Sequence, residues 1–324
     1  MEKILSFFKK PKPEVPPVES PTEANIIGLS GGGTMGILQL NAIKASGYDP
    51  IKNPPDLIVA TSVGAITAVA IALGVPIEQI YNDFEMLANR IFSKKKRLPV
   101  FYDIDNAVEV INSYLNGALV KDLKCEVMIT TVNLVTDNRC QTLYLSSKKE
   151  NVQNMRVADF IRPSFSAPTF FKHQLDEKRR RVLSDGGVGF QNYPITQTII
   201  QAYVNGLMDK DTVNFWAFGT GLDLPSWDDV NKAYVRHSKR NWVKDVLSFL
   251  SLTSGGFARK SSYLESIYAG LYFGERDDHV NFQCWDCVYP VSKIKLDDVK
   301  RIPELMRVPA QRITKEWLDN YTFQ

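Results

Sequence analysis

Histidine is scarce in this chain of 324 residues. There are three, His173, His237 and His279, and no two stand at metal-ligand spacing. Cysteine is nearly as rare. Cys125, Cys140, Cys284 and Cys287, with no secretory signal beside them, fit a reducing, cytoplasmic setting. Cys284 and Cys287 form a C-x-x-C, which is one half of a structural zinc site with no second half. No metal is expected. An excess of one charge is also lacking. The formal net charge is +3, without the clear basic face that nucleic acid would ask for. Two basic runs, Lys94-Lys95-Lys96-Arg97 and Lys178-Arg179-Arg180-Arg181, read first as solvated loops. Their sharper reading is contact with an anionic surface such as phospholipid headgroups. There is no internal repeat.

What is present is a globular composition, 44% hydrophobic and 23% charged. Residues 1–10, MEKILSFFKK, are apolar and basic, and read as a packed or frayed terminus or a short interfacial helix. PKPEVPPVESP reads as an extended linker, so the folded part begins near Asn25. From there strands and helices alternate. IIGL (26–29) and LIVA (57–60) are buried strands, with helices expected over 35–45 and 64–73. CEVMITTVNL (125–134) and QTLYL (141–145) read as a strand pair around Asp137-Asn138. VNFWAFGTG (213–221) is a later strand. Amphipathic helices are expected around 241–252, 261–272 and 311–321, packed on the same core. The alternation predicts an α/β sandwich with a largely parallel sheet.

One uncharged run is long enough to be a candidate membrane span: LIVATSVGAITAVAIALGVPI, residues 57–77. Gly64, Gly74 and Pro76 punctuate it as strand, tight turn and helix, which a span seldom needs. Ser62 lies at the turn. ATSVG (60–64) matches the G-x-S-x-G elbow except for Ala60, and places a serine oxygen at a helix N-terminus. Ser30-Gly31-Gly32-Gly33-Thr34-Met35-Gly36 follows the first strand, and its glycine amides can converge on an anion. It also fits the G-x-G-x-x-G dinucleotide fingerprint. The acidic residue that fingerprint needs, Asp56, lies at the wrong end of the second strand. Ser184-Asp185-Gly186-Gly187 offers a carboxylate that can act as general base to a serine. His173 reads as a packing or surface residue.

In this order the motifs resemble the patatin-like phospholipases. The matching pieces are GGGTMG (31–36), ATSVG (60–64), ITTVNLVTDNRCQTLYL (129–145), RPSFSAPTFF (162–171), DGGVGFQNYP (185–194) and FGTG (218–221). The resemblance covers about residues 25–221. It implies a patatin-like three-layer α/β/α sandwich with a central, largely parallel sheet. It implies a catalytic domain over 25–324, with an N-terminal segment and linker at 1–24 and a helical C-terminal part at 222–324. It further implies a Ser62–Asp185 dyad, with an oxyanion hole from the Gly31, Gly32 and Gly33 loop and Val63. The implied reaction is lipid acyl hydrolysis through an acyl-enzyme, without metal or cofactor. Phospholipid or a membrane surface is then the partner, and the site of action is cytoplasmic or peripheral at a membrane. Two positions depart from the family pattern. Met35 stands where a cation is usual, and Ala60 where the elbow glycine is usual. They motivate an alternative, a weak or inactive patatin-fold binding protein. The apolar stretch from Trp242 to Leu250 reads as a core helix, with a lesser reading as a cover over the acyl site.

Overall fold

The computed structural model describes residues 22–93, 100–134, 141–189, 191–222, 257–289, 291 and 294–322. Residues 1–10, the linker at 11–21, the Lys94–Arg97 run, the turn at Asp137-Asn138 and the helix expected at 241–252 lie outside them.

Among the described residues, one sheet runs through the molecule. Its strands are β1 (Glu23–Leu29), β2 (Leu57–Ala60), β3 (Glu126–Asn133), β4 (Gln141–Ser146), β5 (Gln174–Asp176), β6 (Arg181–Asp185), β7 (Thr212–Phe218), β8 (Val280–Cys287) and β9 (Ala310–Ile313). The spatial order is β5-β6-β3-β2-β1-β7-β8-β9, with β4 also paired to β3. The five central strands, from β3 to β8, are parallel; β4, β5, β6 and β9 are antiparallel additions.

Each central strand alternates its side chains between two layers. Ile27 and Leu29 of β1, with Ile58 and Ala60 of β2, face one layer. Ala24, Ile26, Leu57 and Val59 face the other. Both faces are covered, so β2 and the second half of β1 read as unbroken apolar runs. The first layer is α1 (Gly36–Ser46), α2 (Val63–Ala72), α3 (Ile77–Ile91), α4 (Ile104–Tyr114) and α5 (Val157–Ile161). The second holds α6 (Ile195–Val204) and α7 (Phe257–Arg276). A short α8 (Ile302–Leu305) joins the first layer, and α9 (Lys315–Thr322) the second. This is the expected α/β/α sandwich with a mostly parallel central sheet.

The long uncharged run folds as β2, a turn and α2. Helix α2 is buried almost all round, apart from Ile66. That burial on every side, rather than lipid, accounts for its lack of charge. Among the described residues no helix is long and apolar enough to cross a membrane. Gly74, at φ 83°, ends the α2 turn, and Pro76 caps α3.

Two expectations need correction. The helix placed over 311–321 begins at Lys315, because Ala310–Ile313 pair with β8 as a strand. Thr314 marks the switch, its hydroxyl accepting from the Trp317 N–H at 3.1 Å. The C-terminal part is therefore not purely helical, since β8 and β9 extend the sheet. The C-x-x-C lies on β8, where residues three apart point to opposite faces. Cys284 packs in the second layer and Cys287 in the first. Burial pushes both thiols up.

Candidate active site

The β3 strand has one edge shared by two partners. Its first half pairs with β2, ending at Ala60 opposite Ile129. Past that point the edge is taken by β6, with Asp185 opposite Thr131. Because β4 occupies the other edge, β6 lies on the line that β2 vacates. The chain leaving β2 turns at Ser62, and the chain ending β6 stops at Asp185. The two side chains meet there. Ser62 Oγ donates to Asp185 Oδ2 at 2.6 Å.

Ser62 sits at φ 53°, a region that non-glycine residues rarely occupy, and this backbone aims its side chain away from α2. Holding it there costs about 1–3 kcal/mol. The neighbours that enforce it are close. A methyl group on Gly64 would stand 2.6 Å from the Ser30 carbonyl oxygen and 2.8 Å from that of Leu29, so only glycine lets α2 start this near β1. Ala60 is fully buried and keeps its register with Leu29 and Ile129, so its methyl group is accommodated at the end of β2.

The segment Arg162–Ser166 holds both partners. Ser164 Oγ accepts the Ser62 N–H at 2.9 Å. The Ser166 carbonyl accepts the Asp185 N–H at 3.2 Å and the Ser184 hydroxyl at 3.2 Å. Asp185 is 5% exposed, and its Oδ1 accepts the Gly187 N–H at 2.7 Å. Ser164 and Ser166 belong to the RPSFSAPTFF motif, but their positioning role was not legible in it. The hydrogen bond from Ser62 to Ser164 joins residues 102 positions apart.

The glycine loop lies across from the dyad. The Gly31 N–H donates to the Asn192 carbonyl at 2.8 Å, and Asn192 Nδ2 returns a bond to the Gly31 carbonyl at 3.1 Å. Gly31 is therefore corrected from oxyanion donor to anchor of the loop. Among the described residues no acceptor meets the N–H groups of Gly32, Gly33 or Val63. All three residues line the same cleft as Ser62 and Asp185. Gly33 adopts φ 59° against the Leu296 carbonyl, which also accepts the Thr34 N–H at 2.8 Å. The residue after Leu296, Asp297, accepts the Tyr102 hydroxyl at 2.5 Å. Burial first, and the Asp297 carboxylate second, raise the Tyr102 phenol, so it stays a donor. A strap from the C-terminal part thus backs the glycine loop. Met35 is 3% exposed, packs in the first layer and does not line the cleft.

The cleft runs inward from the dyad between α2 and α3. Val63, Ile66, Thr67 and Ala70 form one face of α2, opposite Ile80, Phe84, Leu87, Ala88 and Ile91 of α3. Both sets follow the three- and four-residue spacing of one helix face. From Val63 to Ala70 is about 10 Å of helix axis. Phe165, Phe170 and Phe171 complete an apolar wall, and Tyr114 also lines the cleft. The cavity measures about 120 Å³. One water occupies roughly 10–15 Å³ on that measure, so an extended apolar chain has room. His173 does not line the cleft, and His279 bonds to the Met208 carbonyl elsewhere.

The arrangement joins a serine paired to a buried carboxylate, amides without acceptors, and a deep apolar channel. Comparison with known proteins bears on the family of the chain. The family model described as patatin-like phospholipase matches residues 28–199, more than half of the chain. That span contains Gly31–Gly33, Ser62, Val63 and Asp185. A cGAMP-activated phospholipase of Pseudomonas aeruginosa is 30% identical over 177 residues, 51% of this chain and 52% of that protein. A cGAMP-activated phospholipase of Vibrio cholerae serotype O1 is 27% identical over 197 residues, 52% of this chain and 55% of that protein. This chain spans about half the length of these curated relatives. Among solved structures, VipD from Legionella pneumophila is similar at 14% identity with a TM-score of 0.37, over 91% of this chain and 68% of that one.

Proposed function

This chain belongs to the patatin-like phospholipase family, and from that premise we propose that it is a serine hydrolase cleaving acyl esters of phospholipids or lysophospholipids. The observation that carries the proposal is the 2.6 Å contact between Ser62 Oγ and a nearly buried Asp185 carboxylate. In this mechanism the acyl chain lies between α2 and α3, with its ester carbonyl over Ser62. Asp185 accepts the Ser62 proton as the oxygen attacks the carbonyl carbon. The negative charge that develops on the carbonyl oxygen is met by the Gly32, Gly33 and Val63 N–H groups. Each such donor is typically worth about 10²–10³ in rate. Collapse expels the alcohol, which takes the proton from Asp185, and leaves the acyl group on Ser62. Water, deprotonated by Asp185, then releases the fatty acid and restores the serine.

Neither departure from the family pattern obstructs this chemistry. The Met35 side chain lies in the core, and the three amides are neutral dipoles that need no neighbouring cation. The test is fatty-acid release from fluorescent phospholipids, run with and without cGAMP because two relatives carry that activator in their names. Ser62→Ala is expected to abolish release and also labelling by a fluorophosphonate probe. Equal release by wild type and Ser62→Ala would remove the dyad from the mechanism. Failure of the probe to label wild type under all these conditions would favour a binding protein without turnover.

A further inference from the structure

The β5–β6 hairpin is rooted in the candidate site at both ends. Phe171, in the cleft wall, stands three residues before β5, and Asp185 closes β6. Followed backwards from Asp185, β6 runs in the direction in which the parallel strands end. Arg181 lies four residues from Asp185, about 13 Å along an extended strand. The turn at residues 177–180 therefore stands beyond the end of the sheet that carries Ser62.

This projection is one of two basic stretches of the sequence, the other being Lys94–Arg97. Residues 172–181 hold five lysines and arginines against two acids, an excess of three, and the whole chain has a net charge of +3. The rest of the sequence is balanced. Residues 177–180 are exposed. Arg179 pairs with Asp176 at 3.3 Å. Among the described residues no carboxylate pairs with Lys178, Arg180 or Arg181. Leu175, on β5 one rung before the Asp176–Arg181 pair, is 60% exposed. Unpaired cations next to an exposed apolar side chain suit a surface that is anionic outside and apolar beneath.

We propose that the β5–β6 hairpin is a docking foot for an anionic phospholipid bilayer. Lys178, Arg180 and Arg181 contact the headgroups, Leu175 enters the interface, and the cleft is thereby set against its substrate. The proposal rests on the reading of the chain as a phospholipid hydrolase. Each cation near an anionic membrane strengthens binding about fivefold, so the three together supply about a hundredfold. The attraction weakens as salt rises, because at 0.1 M the screening length is only about 10 Å.

The test is co-sedimentation of the full chain with vesicles of phosphatidylcholine alone or with a quarter phosphatidylserine. Hydrolysis of a soluble short-chain ester is measured in parallel. Wild type is expected to prefer the anionic vesicles and to lose that preference in high salt. Lys178→Gln/Arg180→Gln/Arg181→Gln is expected to bind them about a hundredfold more weakly, with soluble-ester turnover unchanged. The proposal is overturned if wild type ignores the anionic vesicles, if its binding is indifferent to salt, or if the triple variant binds like wild type. Ser62→Ala separates the two readings. Hairpin-dependent binding without any Ser62-dependent lipid hydrolysis keeps the foot and removes the hydrolase. Hydrolysis with hairpin-independent binding does the reverse.

Discussion

At the scale of single residues, Ser62 holds its contact with Asp185 at the expense of backbone comfort. Its φ of 53° exposes the hydroxyl to Asp185 at a cost that glycine would avoid. Ser62→Ala and Ser62→Gly both lose the hydroxyl, so the difference between them isolates the backbone contribution. Ser62→Gly is expected to be about 1 kcal/mol more stable than Ser62→Ala. In a chain of this size that is about 1–2 °C in melting temperature. Equal melting temperatures would mean that the elbow is unstrained. The same scale separates the three glycines of the loop. Gly31 ties the loop to Asn192, while among the described residues no acceptor meets the N–H groups of Gly32 and Gly33. Sequence alone could not divide those roles, because the acceptor that claims Gly31 lies 161 residues away.

At the scale of elements, α2 and α3 form two sides of one channel, and Ala70 is the smallest side chain of the α2 stripe. Ala70→Phe is expected to fill the inner end. It should reduce turnover of long-chain substrates by about 10–200-fold while sparing short ones, because the far methylenes of a long chain then have nowhere apolar to lie. Comparing kcat/KM across a chain-length series checks this; a uniform fall at every length would place Ala70 outside the chain's path. Much of this element structure was legible. LIVA (57–60) is the strand found, and α2 lies one residue from its expected span, because an apolar run bounded by a tight turn and by Gly74-Val75-Pro76 has few other solutions. By contrast, β8 was missed. Asn281, Gln283 and Asp286 interrupt its apolar side chains and hide its burial between β7 and β9. The strand that Asp185 ends, β6, was also missed, because its arginine-rich start reads as a solvated loop.

At the scale of the whole molecule, the candidate site depends on parts of the chain that carry none of its chemistry. Leu296 backs the glycine loop, and β8 covers the edge of β7. A chain ending after Leu222 keeps Ser62, Asp185 and every glycine of the loop. It is nevertheless expected to be aggregation-prone and inactive, with the β7 edge and the apolar side of Phe215 exposed. Soluble yield and the far-ultraviolet circular dichroism of that truncation check the expectation. A soluble, active fragment would show that the strap and the outer strands are dispensable. The C-terminal part was expected to pack on the core, and the closeness of its involvement was not foreseeable. It meets the loop through the main-chain carbonyl of Leu296, which leaves no mark on residue identity.

The divided edge of β3 has a consequence for how this scaffold tolerates change. Ser62 and Asp185 are 123 residues apart in the chain. On β3, however, the rungs that anchor them, Ile129 for β2 and Thr131 for β6, are only two apart. Their alignment is therefore a matter of ladder register and not of loop length. Whatever lies between them on the outside can lengthen, shorten or be exchanged while the pair stays aligned. A slip of one rung in β6 would instead turn Asp185 to the opposite face of the sheet. The scaffold is thus permissive to insertion and intolerant of register error, which marks the surface connections, and not the strands, as the places where its specificity can be rebuilt.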